Sequence, residues 1–217
     1  MKIKVNGVIL NYEVIGHGKP LLFLHGNNED LYTFDSLTES LKEHYACYLV
    51  DSRNQGKSEK NVPLHYEDMS VDIYEFVLKL KIKNLNIFGF SDGAIIGMIL
   101  ASKHPEIVNK LVLAGGSLNP EGIKKKHVKM MENEYKETKD PFIELMLTEP
   151  HITDHELHKI TCPTLILAGE HDVIKDIHTK KIHQNISGSK LIIIQEHTHE
   201  SYIMHSNYLK EIIRNFI

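Results

Sequence analysis

Apolar residues along this chain fall into two patterns that distinguish strands from helices. Short continuous apolar runs are typical of strands covered on both faces, whereas apolar residues three or four positions apart are typical of helices. The runs predict strands at 21–24, 45–50, 85–90, 111–116, 164–168 and 191–195. The spaced positions predict helices at about 29–42, 66–80, 94–104, 121–138, 141–148, 173–185 and 200–216.

The N-terminal residues predict a hairpin. Apolar residues at 2–5 and 8–15 flank the pair Asn6-Gly7. An Asn-Gly pair between two such segments is the strongest short-range signal for a tight hairpin turn. The glycines and the proline at 16–20 then end the pairing before the first buried strand.

Strands and helices alternate from there to the end of the chain, which predicts an α/β fold with a mostly parallel sheet and helices on both faces. In such sheets, ligands bind beyond the carboxyl ends of the strands. Polar or glycine-containing segments follow the predicted strands at 25–28, 51–58, 89–93, 115–117, 169–172 and 196–199. We therefore expect the chemistry to lie on one sheet edge of a single domain, residues 1–217. The polar segment 117–160 is expected to be a small cap inserted above it.

Composition and charge exclude several classes of function. The formal net charge is −4 over 217 residues, which provides no electrostatic basis for binding nucleic acid or an anionic membrane. No apolar run approaches the ~18 residues of a membrane span, and the first residues show a strand pattern, not a signal peptide. Cys47 and Cys162 lie at the edges of apolar runs. We expect both thiols to be reduced and hence the protein to be cytoplasmic. The oligomeric state, monomer or homodimer, stays undetermined.

The segment Gly-Phe-Ser-Asp-Gly at 89–93 lies between a predicted buried strand and a predicted apolar helix. In that context a G-x-S-x-G motif forms a nucleophile elbow, a sharp turn that exposes the serine hydroxyl at the sheet edge. A side chain at Gly89 or Gly93 would collide across the turn, and glycine also tolerates the backbone angles that such a turn needs. The alternative interpretation is an ordinary turn between a strand and a helix.

Ser91 needs a base, because a serine hydroxyl is a poor nucleophile without an adjacent histidine held by a third group. Asp172 follows one predicted strand, and His199 follows the last one, close to the predicted start of the final helix. Nucleophile, acid and base occur in the order that an elbow on a doubly wound sheet requires. His197 is an alternative base, and Glu170 is an alternative acid.

Five segments, in order, resemble the motifs of α/β-hydrolase-fold enzymes over essentially the whole chain. They are His-Gly at 25–26, Asp-x-Arg-x-x-Gly-x-Ser at 51–58, the elbow at 89–93, the acid-bearing strand Cys-Pro-Thr-Leu through Gly-x-x-Asp at 162–172, and the histidine at 199. The family position of the histidine favours His199 over His197. The Gly-x-x-Asp spacing favours Asp172 over Glu170.

The sequence departs from the family pattern in three places. Asn54 and Ala94 stand where glycines are usual, and the segment 196–199 lacks the glycines that usually precede the catalytic histidine. We expect His25 and Arg53 to brace loops and not to act on the substrate.

An oxyanion hole is the remaining part of such a site: two backbone N–H groups that stabilise the negative charge on the reacting oxygen. The elbow supplies the N–H of Asp92, and by resemblance the loop after the strand 21–24 supplies that of Asn27. We expect the amide of Asp92, more than its carboxylate, to matter. This chemistry needs no metal or organic cofactor.

The predicted function is a serine hydrolase acting on a small-molecule ester or a related acyl substrate. A serine at 91 argues against dehalogenase and epoxide hydrolase relatives, which by family resemblance carry aspartate there. Thioesters, lactones, amides and carbon–carbon bonds stay open as substrates. A second hypothesis is a ligand-binding or signalling protein with little turnover, and a third is a perhydrolase or haloperoxidase-like enzyme with the same triad.

The insertion 117–160 is short for a cap in this family, which favours small or medium acyl groups. The apolar residues that are candidates for lining the pocket beneath it are Met130, Met131, Phe142, Leu145, Met146 and Leu147. Within the same segment, His151, His155 and His158 have the spacing of one helix face and are a candidate zinc site. No cysteine or carboxylate partner is obvious at ligand spacing, so a solvated face is favoured.

Overall fold

The computed structural model describes residues 1–217 and contains one eight-stranded sheet. The strands are β1 (Lys2–Val5), β2 (Val8–Ile15), β3 (Lys19–Leu24), β4 (Tyr45–Val50), β5 (Leu85–Phe90), β6 (Val108–Ala114), β7 (Thr164–His171) and β8 (Lys190–Thr198). Their order across the sheet is β1-β2-β4-β3-β5-β6-β7-β8. The hairpin β1–β2 is antiparallel and joins β4 in antiparallel fashion, while β3 to β8 run parallel. The predicted α/β fold with a mostly parallel sheet is confirmed.

Helices cover both faces of this sheet. They are α1 (Asp35–Leu41), α2 (Tyr66–Lys79), α3 (Asp92–Lys103), α4 (Lys125–Thr138), α5 (Pro141–Thr148), α6 (Asp154–Leu157), α7 (Asp176–Asn185) and α8 (Lys210–Phe216). One buried apolar cluster packs α2 and α3 on the sheet, and a second packs α1 and α8 on it. The strands between them are buried on both sides, which explains their continuous apolar runs. No helix combines the length and the apolar character needed to cross a membrane.

The predicted hairpin turn is confirmed. Asn6 and Gly7 have φ angles of 43° and 81°, the left-handed conformation that a two-residue hairpin turn of this kind needs at both central positions. β1 and β2 pair from Lys2 opposite Asn11 to Val5 opposite Val8.

The helix predicted at 200–216 is wrong in its first half. α8 begins only at Lys210, and residues 201–205 form turns in which His205 has a φ of 49°. Tyr202 and Ile203 are nevertheless fully buried in the same cluster as α8, so the helix-like spacing of apolar residues comes from packing of a turn. His199 directly follows β8 and does not lie near the start of a helix.

The helix predicted at 29–42 is shorter than expected. A 3₁₀ turn at Leu31–Phe34 precedes α1, and the carboxylate of Asp30 accepts a hydrogen bond from the backbone N–H of Tyr32. Glu29 and Asp30 belong to no helix, and α1 itself begins only at Asp35. The loop after β3 is therefore longer than the sequence suggested.

Residues 117–160 lie between β6 and β7 and contain α4, α5 and α6. α5 contributes buried Ile143 and Leu145, but α4 has no buried residue. This segment, called the insertion below, lies over the carboxyl ends of the strands.

Candidate active site

The turn from β5 into α3 is tightly packed at both glycines. A Cβ atom at Gly89 would lie 2.3 Å from the carbonyl oxygen of Gly93, and one at Gly93 would lie 1.9 Å from that of Leu24. The expected collisions are therefore present. The unusual backbone angle falls on Ser91 instead, with φ 51° and ψ −112°, and its N–H donates to the carbonyl of Ala114 at 2.8 Å. Strain at Ser91 holds its side chain outward from the sheet edge.

Ser91, His199 and Asp172 form one hydrogen-bonded chain. His199 Nδ1 donates to Asp172 Oδ1 at 2.7 Å, because a carboxylate only accepts, and the hydroxyl of Ser91 lies 3.1 Å from His199 Nε2. With its proton on Nδ1, the imidazole presents the free lone pair of Nε2 to the serine hydroxyl. This is the geometry in which a histidine accepts a proton from a serine nucleophile.

Asp172 is held as a carboxylate. Burial by itself raises its pKa, but His199 and the backbone N–H groups of Ile174 and Gly169 lower the pKa below its ordinary value. The two backbone donors lie 2.9 and 3.2 Å from the carboxylate oxygens. Glu170, the alternative acid, is exposed and accepts a hydrogen bond from the N–H of Glu196.

His197, the alternative base, points to different partners. Its Nδ1 lies 2.9 Å from the hydroxyl of Ser201, and its ring packs 4.7 Å from that of Tyr208. The structure thus brings His199, and not His197, to Ser91.

The imidazole of His199 packs directly against the backbone of Gly115. Its φ is 63°, and a Cβ atom there would lie 2.6 Å from His199 Cε1. Phe90 packs on the same ring with a centroid separation of 5.0 Å. Glycine is required at 115 both for the backbone angle and for the space.

The two predicted oxyanion donors have no competing acceptor. Asp92 is the first residue of α3, and the first N–H groups of a helix have no partner within it. The backbone N–H of Asn27 donates to no protein group. Both residues line the cavity that contains Ser91, and their role as oxyanion donors stays a prediction.

The carboxylate of Asp92 is more involved than the sequence suggested. It is buried and accepts hydrogen bonds from Tyr66 Oη at 2.7 Å and from Asn27 Nδ2 at 2.9 Å. Burial raises its pKa to about 6, although both hydrogen bonds act in the opposite direction. Burial and the charge of Asp92 also raise the pKa of Tyr66, so its hydroxyl remains a donor.

Tyr66 and Glu29 were missed by reasoning from sequence. The carboxylate of Glu29 accepts hydrogen bonds from the N–H of Gly26 at 3.0 Å and from the hydroxyl of Thr33 at 2.9 Å, and burial raises its pKa. It thereby shapes the loop that carries Asn27. Neither residue belongs to a motif, because each acts through a contact made only in the folded chain.

His25 and Arg53 make contacts of the bracing kind that we expected. Buried His25 joins two loops: its Nδ1 lies 2.8 Å from the carbonyl of Gly26, and its Nε2 lies 3.0 Å from the N–H of Ser52. Burial lowers its pKa, so the ring is neutral. Arg53 makes a bidentate ion pair with Asp72 at 2.7 and 2.6 Å.

Asn54, at a usual glycine position, has a φ of 64°. Asparagine is one of the few other residues that adopt this left-handed conformation readily, so the departure from the family pattern keeps the backbone shape.

The cavity above Ser91 has a volume of about 330 Å³. Besides the residues at the elbow, it is lined by carboxylates of Glu29, Glu134, Glu149 and Glu200, by His127, and by apolar side chains of the insertion and the loop after β7. Of the candidate lining residues, only Met130, Met131 and Met146 face this cavity; Phe142 and Leu145 line another cavity and Leu147 lines an outer groove.

The candidate zinc face is not formed. Only His155 of the three histidines lies within α6, and all three are exposed. No group of three or more His, Cys, Asp or Glu side chains is arranged to hold a metal ion.

Comparisons with known proteins agree with this architecture. Residues 19–151 match the sequence model of a family described as alpha/beta hydrolase fold. The serine hydrolase BPHL from Homo sapiens is 26% identical over 100% of this chain and 85% of its own length. An esterase from Exiguobacterium antarcticum superposes with a TM-score of 0.87 at 24% identity, covering 100% of this chain and 98% of the other. A meta-cleavage product hydrolase from Pseudomonas fluorescens superposes with a TM-score of 0.82 at 18% identity, covering 100% and 96%.

Proposed function

The chain belongs to the alpha/beta hydrolase fold family and is a hydrolase, and we propose that it cleaves small or medium carboxylic esters through an acyl-enzyme formed on Ser91. The observation that carries this proposal is the hydrogen-bonded chain from Ser91 through His199 to Asp172. Thioesters and lactones are chemically related substrates for the same steps.

In the proposed reaction, the Ser91 oxygen attacks the ester carbonyl carbon as its proton passes to His199 Nε2. Asp172 stays ionised and stabilises the charged imidazole. The backbone N–H groups of Asn27 and Asp92 stabilise the oxyanion of the tetrahedral intermediate, and each such donor is typically worth about 3–4 kcal/mol. His199 then protonates the departing alcohol.

Deacylation repeats these steps with water. His199 removes a proton from a water molecule, whose oxygen attacks the acyl carbon, and Ser91 leaves with that proton. The products are a carboxylic acid and an alcohol, and no cofactor takes part in either half of the proposed cycle.

The size of the cavity supports the proposed substrate class. Its volume of about 330 Å³ is at the low end of typical ligand pockets, which span roughly 300–1,000 Å³. We propose that the insertion acts as a small cap on this single domain, because three of its residues, Met130, Met131 and Met146, line the cavity.

We also propose a cytoplasmic location, since Cys47 and Cys162 are buried free thiols, as suits a reducing compartment.

The test is labelling and turnover with a matched serine control. Wild type is expected to react with a fluorophosphonate and to hydrolyse p-nitrophenyl butyrate. Ser91→Ala should lose labelling, and its kcat should fall by a factor on the order of 10⁴ to 10⁶. Ser117→Ala alters another serine of the same cavity and should still be labelled.

Three outcomes would contradict the proposal. Labelling that persists in Ser91→Ala would identify a different nucleophile. Absence of both labelling and turnover in wild type would favour a ligand-binding protein on this fold. Turnover only of thioesters, lactones or carbon–carbon bonded substrates would move the activity to one of those classes.

A further inference from the structure

A second groove lies on the outer side of α4. It has a volume of about 740 Å³ and shares three lining residues, Ile123, Met131 and Met146, with the catalytic cavity. These three half-buried side chains therefore form the partition between the two spaces.

The groove has the opposite charge character to the catalytic cavity. Four lysines line it, Lys125, Lys129, Lys136 and Lys175, against only two carboxylates, Glu121 and Glu132. None of the four lysines forms an ion pair with a carboxylate; Lys175 instead donates to the carbonyl of Glu121 at 2.6 Å. The catalytic cavity is lined by five carboxylates and no lysine.

The helical repeat explains how α4 separates these charges. At 3.6 residues per turn, Lys125, Lys129 and Lys136 fall within an arc of about 40°, and His127 and Glu134 fall on the opposite side of the helix. His127 and Glu134 line the catalytic cavity. Met131 lies about 40° round the helix from His127, in the direction of the lysines, and lines both spaces.

Methionine side chains suit a partition that can open. They are unbranched, with several rotatable bonds, and adapt to irregular neighbours. On the far side of them, Val128 and Leu147 continue the apolar surface into the groove. An apolar chain that passes Met131 and Met146 would stay in contact with apolar side chains until it reached the lysines.

We propose that the groove is a subsite for an anionic group at the far end of the substrate. This inference rests on the proposed esterase function and specifies its substrate: an ester whose apolar chain carries a terminal carboxylate or a similar anion. The carboxylates of the catalytic cavity repel such a group, and the unpaired lysines attract it, so the charge pattern orients the substrate.

The test compares p-nitrophenyl alkanoates with p-nitrophenyl monoesters of dicarboxylic acids of the same chain length. A second comparison places the carboxylate on the alcohol side: acetate esters of alkanols against acetate esters of ω-hydroxy acids of the same chain length. Above a threshold chain length, kcat/KM for the carboxylated ester is expected to exceed kcat/KM for the neutral ester in one of these two comparisons. The ratio should fall with added salt, since exposed charges are screened.

Two double variants separate the groove from the general charge of the protein. Lys125→Glu with Lys129→Glu should reduce the carboxylated-to-neutral ratio roughly three- to tenfold, mainly through KM, because two exposed attractive charges are lost and repulsion is added. Lys126→Glu with Lys180→Glu makes the same change in net charge at exposed positions that line neither space and should leave the ratio unchanged. Met131→Trp should remove the advantage of long carboxylated esters by filling the partition.

The proposal is wrong if neither comparison of esters shows a preference for the carboxylated ester. It is also wrong if both double variants lower the carboxylated-to-neutral ratio of kcat/KM equally. Those results differ from failure of the esterase function itself, in which no ester is hydrolysed and Ser91 is not labelled.

Discussion

The side-chain amide of Asn27 donates a 2.9 Å hydrogen bond to the buried carboxylate of Asp92. These two residues also carry the proposed oxyanion N–H groups. This side-chain contact therefore links the two segments whose backbone N–H groups are proposed to reach the same oxygen atom.

Asn27→Ala keeps the backbone N–H but removes this contact. We expect kcat for p-nitrophenyl butyrate to fall about tenfold with little change in KM, which is less than the ~10²–10³ caused by removing a donor outright. In a double-mutant cycle with Asp92→Ala, the two losses should be far from additive, because the residues contact each other. Fully additive losses would show that the contact does not align the donors.

The buried carboxylate of Asp92 predicts a pH-dependent term in stability. Its pKa rises from 3.8 to about 6 in the folded protein, so between these values the folded state keeps a proton that the unfolded state has lost. Stability from this group is present at low pH and is lost as the pH rises to about 6. Relative to Asp92→Asn, the free energy of unfolding of wild type should fall by about 2 kcal/mol between pH 4 and 7, because part of the effect has already been lost at pH 4, just above the unfolded pKa.

Urea unfolding of both proteins across this range measures that difference. A wild-type curve parallel to the Asp92→Asn curve would mean that Asp92 ionises as easily in the folded chain as in the unfolded one.

Gly115→Ala should displace the imidazole of His199, because the new Cβ would lie 2.6 Å from Cε1. A displacement on the order of 1 Å is enough for a loss of about 10² in kcat. Gly188→Ala is the matched control: it has a similar φ of 69° but no atom within 4 Å of the new Cβ. It should share the backbone strain, of order 1–2 kcal/mol, and keep the activity. Equal activity of the two variants would contradict this account.

His197→Ala should retain most activity, since His197 contacts Ser201 and Tyr208 and not Ser91. His199→Ala should lower kcat by a factor on the order of 10⁴ to 10⁶. Steady-state kinetics on one ester decides between them, and the reverse result would exchange their roles.

The order of elements and the sheet type were predictable, because buried strands and amphipathic helices leave different periodicities in the sequence. The final helix was not. Tyr202 and Ile203 occupy the core from a turn, and periodicity alone cannot distinguish a turn with buried side chains from the first part of a helix.

The residues near Ser91 also divide into those that the sequence could identify and those that it could not. Ser91, Asp172 and His199 follow strand ends, and local context was enough to select residues that the fold then brings together. Tyr66 and Glu149 come from distant segments, at the start of α2 and the end of α5, and meet when the N–H of Tyr66 donates to the Glu149 carboxylate at 3.1 Å. Contacts of this kind depend on how the insertion packs, which no short stretch of sequence specifies.

The absence of buried side chains in α4 has an evolutionary consequence. Substitutions away from the core usually change stability by less than about 0.5 kcal/mol, so residues of α4 can change with little penalty to folding. α3, by contrast, is buried along almost its whole length. New substrate preferences can therefore arise on one helix while the turn that carries Ser91, beside the other, stays constant, which makes α4 the segment of choice for directed evolution of this enzyme.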